Sequence, residues 1–458
     1  MHMKAVSTPG RRNFLKKSAA LLALTSLGTL STGFIGNKNP LRVAVIGTGW
    51  YGKSDLFRLL QVASCEVVAL CDVDRKQLEE AARLLTQRHP QSNPPRLYKD
   101  YRELLKNHVL DITIIGTPDH WHALQTIAAL KAGSHVYMQK PVSVDVLEGE
   151  AVVAAAKKYG KVVQVGLQRR STPHLIEAKQ AIIDTGKLGK IAAADIFCYY
   201  HMREDKSKEV QEVPDYIDYD FWTGPAPLRP YTGLPHGLHW RSFMEYGNGI
   251  TGDMAVHMLD AVRWMLDLDW PHTIAATGGI FVQNKGQSNT TDTQTAIFEF
   301  TDLTVSWQHR TWGNPVDPEY PWGFKIYGEH GMLAGSPFKA EFIPYPYGEI
   351  QLFECLYERE EYPEDVSEPG IEIHAAPATR RHFQALVDAI KHNTDPNAAI
   401  YSSHISTASC ILANLSMDLG RPLCYDPINK IIINDPEATK LLKRAYREPW
   451  VHPSGKWI

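Results

Sequence analysis

Residues Leu41–Asp72 read LRVAVIGTGWYGKSDLFRLLQVASCEVVALCD, and this stretch decides the expected fold of the first part of the chain. A short apolar run, Val43 to Ile46, stops at Gly47-Thr48-Gly49-Trp50-Tyr51-Gly52. Beyond that turn, apolar residues recur at helical spacing as far as Leu60. The order predicts a strand, a glycine-rich turn and a helix.

Each glycine of the turn has a steric task if the turn binds a dinucleotide. Gly47 permits the tight turn, Gly49 lets a pyrophosphate approach the backbone, and Gly52 lets the helix pack closely on the strand. The helix N-terminus offers free N–H groups and a positive dipole end to the phosphates. Trp50 and Tyr51 lie between these glycines and belong to the predicted cofactor site. A purely structural glycine turn is the alternative interpretation.

An acidic residue follows the glycine turn at the spacing that a nucleotide ribose requires. A second apolar run, Glu66 to Leu70, ends at Asp72, twenty positions after Gly52. A carboxylate there can accept hydrogen bonds from the ribose diol, whereas it would repel the 2′-phosphate of NADP. The sequence therefore favours NAD as the cofactor and disfavours NADP.

The first 40 residues have the pattern of a targeting segment followed by a linker. Arg11-Arg12-Asn13-Phe14-Leu15-Lys16-Lys17 precedes a weakly apolar stretch, residues 18–35, that contains no acidic residue. The arginine pair followed by Phe-Leu-Lys resembles a bacterial twin-arginine signal. This predicts a periplasmic protein, or a membrane-anchored one if the signal stays attached. A disordered basic tail is the alternative.

Composition indicates an ordinary globular protein long enough for two domains. The chain has 458 residues, 44% of them hydrophobic, and a formal net charge of −3. Its basic clusters are short, so a nucleic-acid partner is not expected. The six cysteines are scattered without CxxC spacing, so we expect neither a metal site nor a disulfide framework.

Predicted strands and helices alternate up to residue 165. Helices are predicted at 75–88, 101–106, 121–132 and 144–159, and strands at 111–115, 135–138 and 162–165. Such alternation predicts a parallel sheet with right-handed crossovers. We therefore expect an α/β, Rossmann-type dinucleotide-binding domain at residues 41–165.

The pattern changes after residue 165. Strand-like runs occur at 192–200, 293–300, 304–310 and 323–327, and longer helical segments at 378–391 and 403–419. Few helices separate these strand-like runs, which favours a large, mainly antiparallel sheet. We expect residues 166–458 to form an α+β domain with an open-faced sheet that serves substrate binding and oligomerisation.

Four further segments carry a family resemblance. They are Thr117-Pro118-Asp119-His120-Trp121-His122, Gln139-Lys140-Pro141, Gly166-Leu167-Gln168-Arg169-Arg170 and the run from Gly252 to Asp260. With the glycine turn, their order and spacing resemble the Gfo/Idh/MocA oxidoreductases, named for glucose-fructose oxidoreductase and inositol dehydrogenase. The resemblance covers nearly the whole chain after residue 40.

The resemblance implies that Lys140 is catalytic and contacts both cofactor and substrate. The family's Glu-Lys-Pro motif stands here as Gln139-Lys140-Pro141, so the lysine is kept and the acid is replaced by an amide. An ammonium at the end of a parallel strand can hydrogen-bond the reacting oxygen and lower the pKa of a substrate hydroxyl. An exposed loop lysine is the alternative.

Asp253 and His257 are spaced to share one face of a helix. The resemblance implies that this pair faces the substrate and that His257 accepts a proton. Oxidation of an alcohol needs such a base, and histidine is suited to this role near neutral pH. A helix-capping aspartate followed by a core histidine is the structural alternative.

The resemblance also assigns binding residues from neighbouring segments. Those expected at the cofactor are Thr117, Pro118, His122 and Gln168, and those expected at the substrate are Arg169, Trp240 and Arg241, together with the three catalytic residues.

Three functional hypotheses follow. The first is an NAD(P)-dependent dehydrogenase acting on a secondary hydroxyl of a sugar, glycoside or cyclitol, with a cofactor that stays bound because exported nicotinamide cannot return for recycling. The second is an NAD-dependent glycosidase that works by transient oxidation and elimination. The third is a non-catalytic sugar- or nucleotide-binding protein. The resemblance also implies a dimer or tetramer formed through the open sheet face.

Overall fold

Two large β-sheets organise the structure. It is a computed structural model that describes residues 39–90, 92–199, 203, 205–233, 236, 239–367 and 373–453. The predicted signal segment around Arg11 and Arg12 lies outside the described residues. Both sheets belong to the unit that begins at Leu41.

The first sheet is six-stranded and parallel, in the order β3-β2-β1-β4-β5-β6. Its strands are β1 (Leu41–Ile46), β2 (Cys65–Cys71), β3 (Arg96–Tyr98), β4 (Ile112–Ile115), β5 (His135–Met138) and β6 (Val163–Val165). The connecting helices are Trp50–Val62, Arg75–Arg88, Tyr101–Asn107, His122–Lys131 and Val146–Tyr159. The predicted Rossmann-type sheet is confirmed.

Local sequence explains these elements. All four residues of β4 are buried because helices cover both faces of the sheet. The side chain of Asp74 caps the helix Arg75–Arg88 by accepting hydrogen bonds from the N–H groups of Lys76 and Gln77. The helix Val146–Tyr159 ends at Gly160, which adopts the left-handed conformation, with φ of +59°.

The second sheet has eight strands in the order β14-β13-β12-β11-β7-β10-β9-β8. Within it, β7 and β10 run parallel and the other neighbouring strands run antiparallel, so the predicted mainly antiparallel sheet is confirmed. The strands are β7 (Ile191–Cys198), β8 (Thr273–Gly279), β9 (Thr293–Glu299), β10 (Thr304–Arg310), β11 (Trp322–Gly328), β12 (Gly331–Gly335), β13 (Lys339–Pro344) and β14 (Gln351–Glu354).

One face of this second sheet packs against the core. Along β9, Gln294, Ala296 and Phe298 are buried while the intervening residues are more exposed. The alternation is the period-two pattern expected of a strand with one covered face.

The last two long helices return to the parallel sheet. The helix Ala376–His392 packs on the helix Trp50–Val62, and the helix Ile400–Leu419 packs on both Val146–Tyr159 and β8. The expected boundary at residue 165 stays a prediction, because segments on its C-terminal side complete the core around the first sheet.

A buried ion pair joins three segments at the junction of the sheets. The Arg170 guanidinium donates two hydrogen bonds of 2.7 Å to the Asp260 carboxylate, which also accepts one of 2.8 Å from Ser406. Arg170 follows β6, Asp260 lies on the helix Val256–Leu266, and Ser406 lies on Ile400–Leu419. We therefore interpret Arg170 and Asp260 as structural residues.

The C-terminal tail is fastened by a second buried polar cluster. Asp145 accepts hydrogen bonds from His452 at 2.8 Å and from the Arg444 backbone at 2.9 Å, and Glu148 accepts one of 2.5 Å from Tyr446. Asp145, Glu148 and His452 are close enough to hold a metal ion, but these hydrogen bonds already engage them. Burial raises the pKa of Glu148 to about 8.

Two further observations concern the cysteines and the helices. All six cysteines are free thiols. Within the described ranges, no helix combines the length and the apolar character needed to cross a bilayer.

Candidate active site

A cavity of about 820 Å³ opens where the parallel strands end. Its walls come from the residues after β1, β2, β4 and β5 and from the part of the chain that follows β6. Open α/β sheets bind ligands at the carboxyl ends of their strands, so this cavity is where the fold places a ligand.

Most of the predicted site residues line this cavity. They are Gly47, Gly49, Trp50, Tyr51, Asp72, Thr117, Pro118, Lys140, Arg169, Trp240, Arg241, Asp253 and His257. We call Lys140, Arg169, Trp240, Arg241, Asp253, His257 and the additional lining residue Trp322 the substrate end, and the glycine turn with Asp72 the nucleotide end.

Three predicted residues do not line the cavity but support it. Gly52 packs against the glycine turn, and its Cα is 2.8 Å from where a Cβ on Gly116 would lie. His122 is buried, with ring nitrogens 2.6 Å from the carbonyl oxygen of Pro141 and 2.9 Å from that of Thr117. Gln168 is buried. His122 thus positions the two loops that carry Thr117 and Lys140.

The glycine turn has the shape of a phosphate cradle. Gly47 has φ of +86°, a conformation that favours glycine, and a Cβ on Gly52 would overlap the carbonyl oxygen of Gly47. A Cβ on Gly49 would meet nothing within 4 Å, so open space lies in front of that residue. The helix Trp50–Val62 has no side-chain cap and no acidic residue in its first turn. Its N–H groups therefore fit a pyrophosphate.

Asp72 is held in place by the turn itself. Its carboxylate accepts hydrogen bonds from the Thr48 backbone at 2.7 Å, the Thr48 hydroxyl at 3.1 Å and the Asp74 backbone at 2.9 Å. Burial raises the pKa of Asp72, and these donors oppose the rise. Nearby, the Lys53 ammonium donates to Gln77 at 2.8 Å and to Glu80 at 2.7 Å.

Lys140 and Asp253 form an ion pair across the cavity wall. The Lys140 ammonium donates to the Asp253 carboxylate and, at 2.8 Å, to the Asp253 carbonyl oxygen. Arg241 Nε lies 3.3 Å from the second carboxylate oxygen of Asp253. The peptide bond between Lys140 and Pro141 is cis. One carboxylate is therefore shared by two cations at the substrate end.

His257 lies beside this ion pair. The segment Thr251–Ala255 is π-helical, a form frequent at functional sites, and continues as the α-helix Val256–Leu266. The imidazole packs edge-on against Trp322, with 5.5 Å between ring centroids, and its Nδ1 has no hydrogen-bond partner. Burial, followed by the charges of Lys140 and Arg169, holds the pKa of His257 well below 6.5. The ring is therefore neutral at neutral pH.

The sequence interpretation missed Asp119, which lies within the quoted segment from Thr117 to His122. Asp119 is buried and lines the cavity, and burial raises its pKa to about 8 although Arg241 and Lys140 lower it. A Cβ on Gly247 would lie 3.2 Å from Asp119 Oδ2, so a glycine leaves room for this carboxyl group. The strand–turn pattern indicated the loop but not the direction of this side chain.

The replaced family glutamate has a structural explanation. Gln139 Nε2 donates a 2.7 Å hydrogen bond to Asp55, a buried residue of the helix Trp50–Val62. Burial raises the pKa of Asp55 to about 8. The hydrogen bond from Gln139 and the charge of Arg58 oppose this rise but are smaller effects. An amide donor suits this partner, whereas a glutamate would put a second carboxyl group against the first.

Comparison with known proteins agrees with this geometry. Residues 41–167 match the model of the oxidoreductase family GFO_IDH_MocA with an NAD-binding Rossmann fold. Residues 188–293 match the C-terminal alpha/beta domain of the same family, so the two matches together span just over half of the chain. The chain belongs to the GFO/IDH/MocA oxidoreductase family.

Individual curated proteins are similar to this chain over a smaller part of its length. The chain is 29% identical over 187 residues, 40% of its length, to an inositol 2-dehydrogenase/D-chiro-inositol 3-dehydrogenase of Lactiplantibacillus plantarum, covering 51% of that protein. It is 31% identical over 175 residues, 33% of its length, to a glycosyl hydrolase family 109 protein of Shewanella putrefaciens, covering 38% of it. The chain thus spans about half of the length of the first relative and less than half of the second.

Solved structures show the same fold. A levoglucosan dehydrogenase in complex with NADH and levoglucosan superposes with a TM-score of 0.64 at 18% identity. The superposition covers 84% of this chain and 99% of the other. At this identity the likeness establishes the arrangement of the two sheets and nothing finer.

Gly49→Ala separates nucleotide binding from folding. The added Cβ meets no protein atom but occupies the space a pyrophosphate would approach, so NAD affinity should fall at least about tenfold, equivalent to about 1.4 kcal/mol. Calorimetric titration with NAD measures this, and thermal unfolding should be unchanged. Gly52→Ala is the contrasting variant, because its Cβ collides with Gly47 and should lower stability. Unchanged NAD binding by Gly49→Ala would mean that the turn is purely structural.

Gln139→Glu tests the explanation of the altered motif. Asp55 is protonated in the folded state below about pH 8 and ionised above it, so the variant should lose roughly 1–3 kcal/mol of stability as pH rises through that value. Urea unfolding from about pH 6 to about pH 9 measures the loss.

The double variant Asp55→Asn/Gln139→Glu is its control. It exchanges donor and acceptor between the two positions, so it should recover most of the stability lost at high pH. A Gln139→Glu protein as stable as the wild type at the alkaline end would contradict the explanation.

Proposed function

We propose that this protein is an NAD-dependent oxidoreductase that transfers hydride to or from a secondary hydroxyl-bearing carbon of a sugar, glycoside or cyclitol. The observation that carries the proposal is the convergence of Lys140, from the parallel sheet, with Asp253 and His257, from the part that follows it, in one cavity continuous with the glycine turn. Family membership supports the reaction class.

The nucleotide end favours NAD over NADP. In the proposed complex Asp72 would accept hydrogen bonds from the ribose diol, and the backbone N–H groups of Thr48 and Asp74 already orient its carboxylate. The nearby ammonium groups are engaged by acids, Lys53 by Glu80 and Lys99 by Asp218. A 2′-phosphate would therefore meet the carboxylate at an end whose two lining lysines are already paired with acids.

The substrate end supplies the proton chemistry. Bound NAD would accept the hydride that leaves the carbinol carbon. The chain's own part is to remove the hydroxyl proton: the neutral imidazole of His257 has an accepting nitrogen, and the Lys140 ammonium stabilises the developing charge on the oxygen. Asp253 holds that ammonium in place through its carboxylate and its carbonyl oxygen.

A second candidate function is hydrolysis of a glycoside through transient oxidation and elimination. The similarity to the glycosyl hydrolase family 109 protein of Shewanella putrefaciens favours it. The same lysine, histidine and cofactor would serve both reactions. Release of the aglycone from a chromogenic glycoside without net formation of NADH would establish the hydrolase, whereas stoichiometric NADH would establish the dehydrogenase.

We further propose that the segment around Arg11 and Arg12 directs export to the periplasm and that the cofactor stays bound during export. We also propose that the protein acts as a dimer or tetramer. Replacement of both arginines by lysine should retain the protein in the cytoplasmic fraction. Nucleotide absorbance of the protein purified from the periplasm tests cofactor retention, and light scattering tests the oligomer.

His257→Asn should lower kcat by roughly a hundred- to ten-thousand-fold while NAD binding measured by calorimetry is kept. Lys140→Met should lower kcat at least as much and should also weaken NAD binding, because Lys140 is expected at the cofactor as well. Because the pKa of His257 is lowered, its basic form persists into acid, so the wild-type kcat/KM should not fall with a midpoint near pH 6.5. A sugar-dependent change in nicotinamide absorbance measures both quantities. Near-normal turnover by either variant would refute the assigned roles.

A further inference from the structure

Among the described residues, Arg169 is a buried guanidinium that has no ionic partner, and it lies at the wall of the cavity. Its side chain is 1% exposed, and its Nε and Nη1 atoms have no hydrogen-bond partner. It lines the substrate end, with its guanidinium carbon 5.2 Å from the centroid of the Trp322 ring. An unpaired cation of this kind is costly to bury unless something compensates its charge.

Three other buried arginines each pair with a carboxylate, which Arg169 lacks among the described residues. Arg58 pairs with Asp365, Arg170 with Asp260 at 2.7 Å, and Arg380 with Asp365 at 2.7 Å. In the described residues no carboxylate forms such a pair with Arg169. The groups whose pKa values its charge affects are three histidines and a cysteine, and the charge opposes protonation of each: His174, His257, His374 and Cys355.

The surrounding charges leave the substrate end electropositive. Lys140 and Arg241 share the single carboxylate of Asp253. The pKa of Asp119 is raised to about 8, so this neighbouring carboxyl group is mostly protonated at neutral pH. Three cations therefore face one ionised carboxylate among the described residues of this wall.

Building on the proposed function, we propose that the substrate is a sugar acid whose carboxylate binds the guanidinium of Arg169, while a hydroxyl-bearing carbon of the same molecule lies against Lys140 and His257. A carboxylate supplies both the missing charge and acceptors for guanidinium N–H groups, and such charge-assisted bonds are the strong ones. A uronic acid, with its carboxylate and hydroxyl groups on one small ring, has this chemistry.

The carboxylate would also act on the base. The charge of Arg169 is one of the causes that hold the pKa of His257 low. Neutralising that charge on binding removes this contribution and strengthens the imidazole as a proton acceptor. We therefore expect the acid to show both a higher kcat and tighter binding than the corresponding neutral sugar.

The test uses matched pairs of a sugar and its uronic acid, such as glucose with glucuronate and galactose with galacturonate. Binding to the NAD-loaded protein is followed by tryptophan fluorescence, since Trp240 and Trp322 line the site. We expect the acid to bind about ten- to a hundred-fold more tightly. Arg169→Met should abolish this preference, and Arg169→Lys should keep only part of it because the fork geometry is lost.

Thermal unfolding without ligand provides a second readout. Arg169→Met removes an unpaired buried charge and should unfold at a temperature no lower than the wild type. Arg170→Met is the matched control at the adjacent position, because it leaves Asp260 buried without its guanidinium and should be strongly destabilised.

The outcomes separate the two proposals. Equal binding of neutral sugars and acids, or a loss of stability in Arg169→Met comparable to that in Arg170→Met, overturns the inference. Turnover of neutral sugars without preference for acids overturns it while the proposed function stands. Arg169-dependent binding of uronates without any change in nicotinamide absorbance supports the inference and refutes the proposed oxidoreductase.

Discussion

The ion pair between Lys140 and Asp253 is the contact on which the proposed chemistry depends. Lys140 follows β5 of the parallel sheet, and Asp253 belongs to the helical segment that packs against the antiparallel sheet. Both side chains are largely buried, so loss of either partner would leave an uncompensated charge inside the protein. The pair therefore holds the ammonium beside His257 and makes one cavity out of walls from two sheets.

Burial determines the protonation states around that ion pair. Asp55 and Asp119 are carboxyl groups whose pKa values are raised to about 8, and the pKa of His257 is lowered well below its usual range. Each shift has desolvation as its largest cause. Asp55 and Asp119 are therefore mostly protonated at neutral pH, where exposed carboxyl groups would be ionised. Arg169 differs from Asp55, Asp119 and His257 because its guanidinium cannot become neutral by losing a proton.

The sequence was informative wherever a local pattern determined the structure. The helix predicted at 75–88 is observed as Arg75–Arg88, and the strand predicted at 304–310 is observed as Thr304–Arg310. Both elements depend on the spacing of apolar residues and on the residues at their ends, which can be read from neighbouring positions in the sequence. Motif order singled out residues from several segments that the structure brings together around one cavity.

What the sequence did not reveal depends on contacts between distant positions. Asp55 and Gln139 are 84 positions apart, so the reason for the altered motif could be seen only after folding. The directions of Asp119 and Trp322 depend on how two sheets meet. The return of the C-terminal helices to the first sheet is likewise a matter of packing, since both helices have ordinary amphipathic or apolar patterns that fit several neighbours.

The helix Ile400–Leu419 has a mechanical consequence. It packs on the parallel sheet's helix Val146–Tyr159 and on β8, and its Thr407 hydroxyl accepts a 3.1 Å hydrogen bond from the Val142 backbone, two positions after Lys140. Ser406 on the same helix bonds Asp260, one turn beyond His257. A hinge motion that moved one sheet relative to the other would have to separate this helix either from Val146–Tyr159 or from β8. The spacing between ammonium and imidazole is therefore set during folding, and a ligand meets groups that are already arranged.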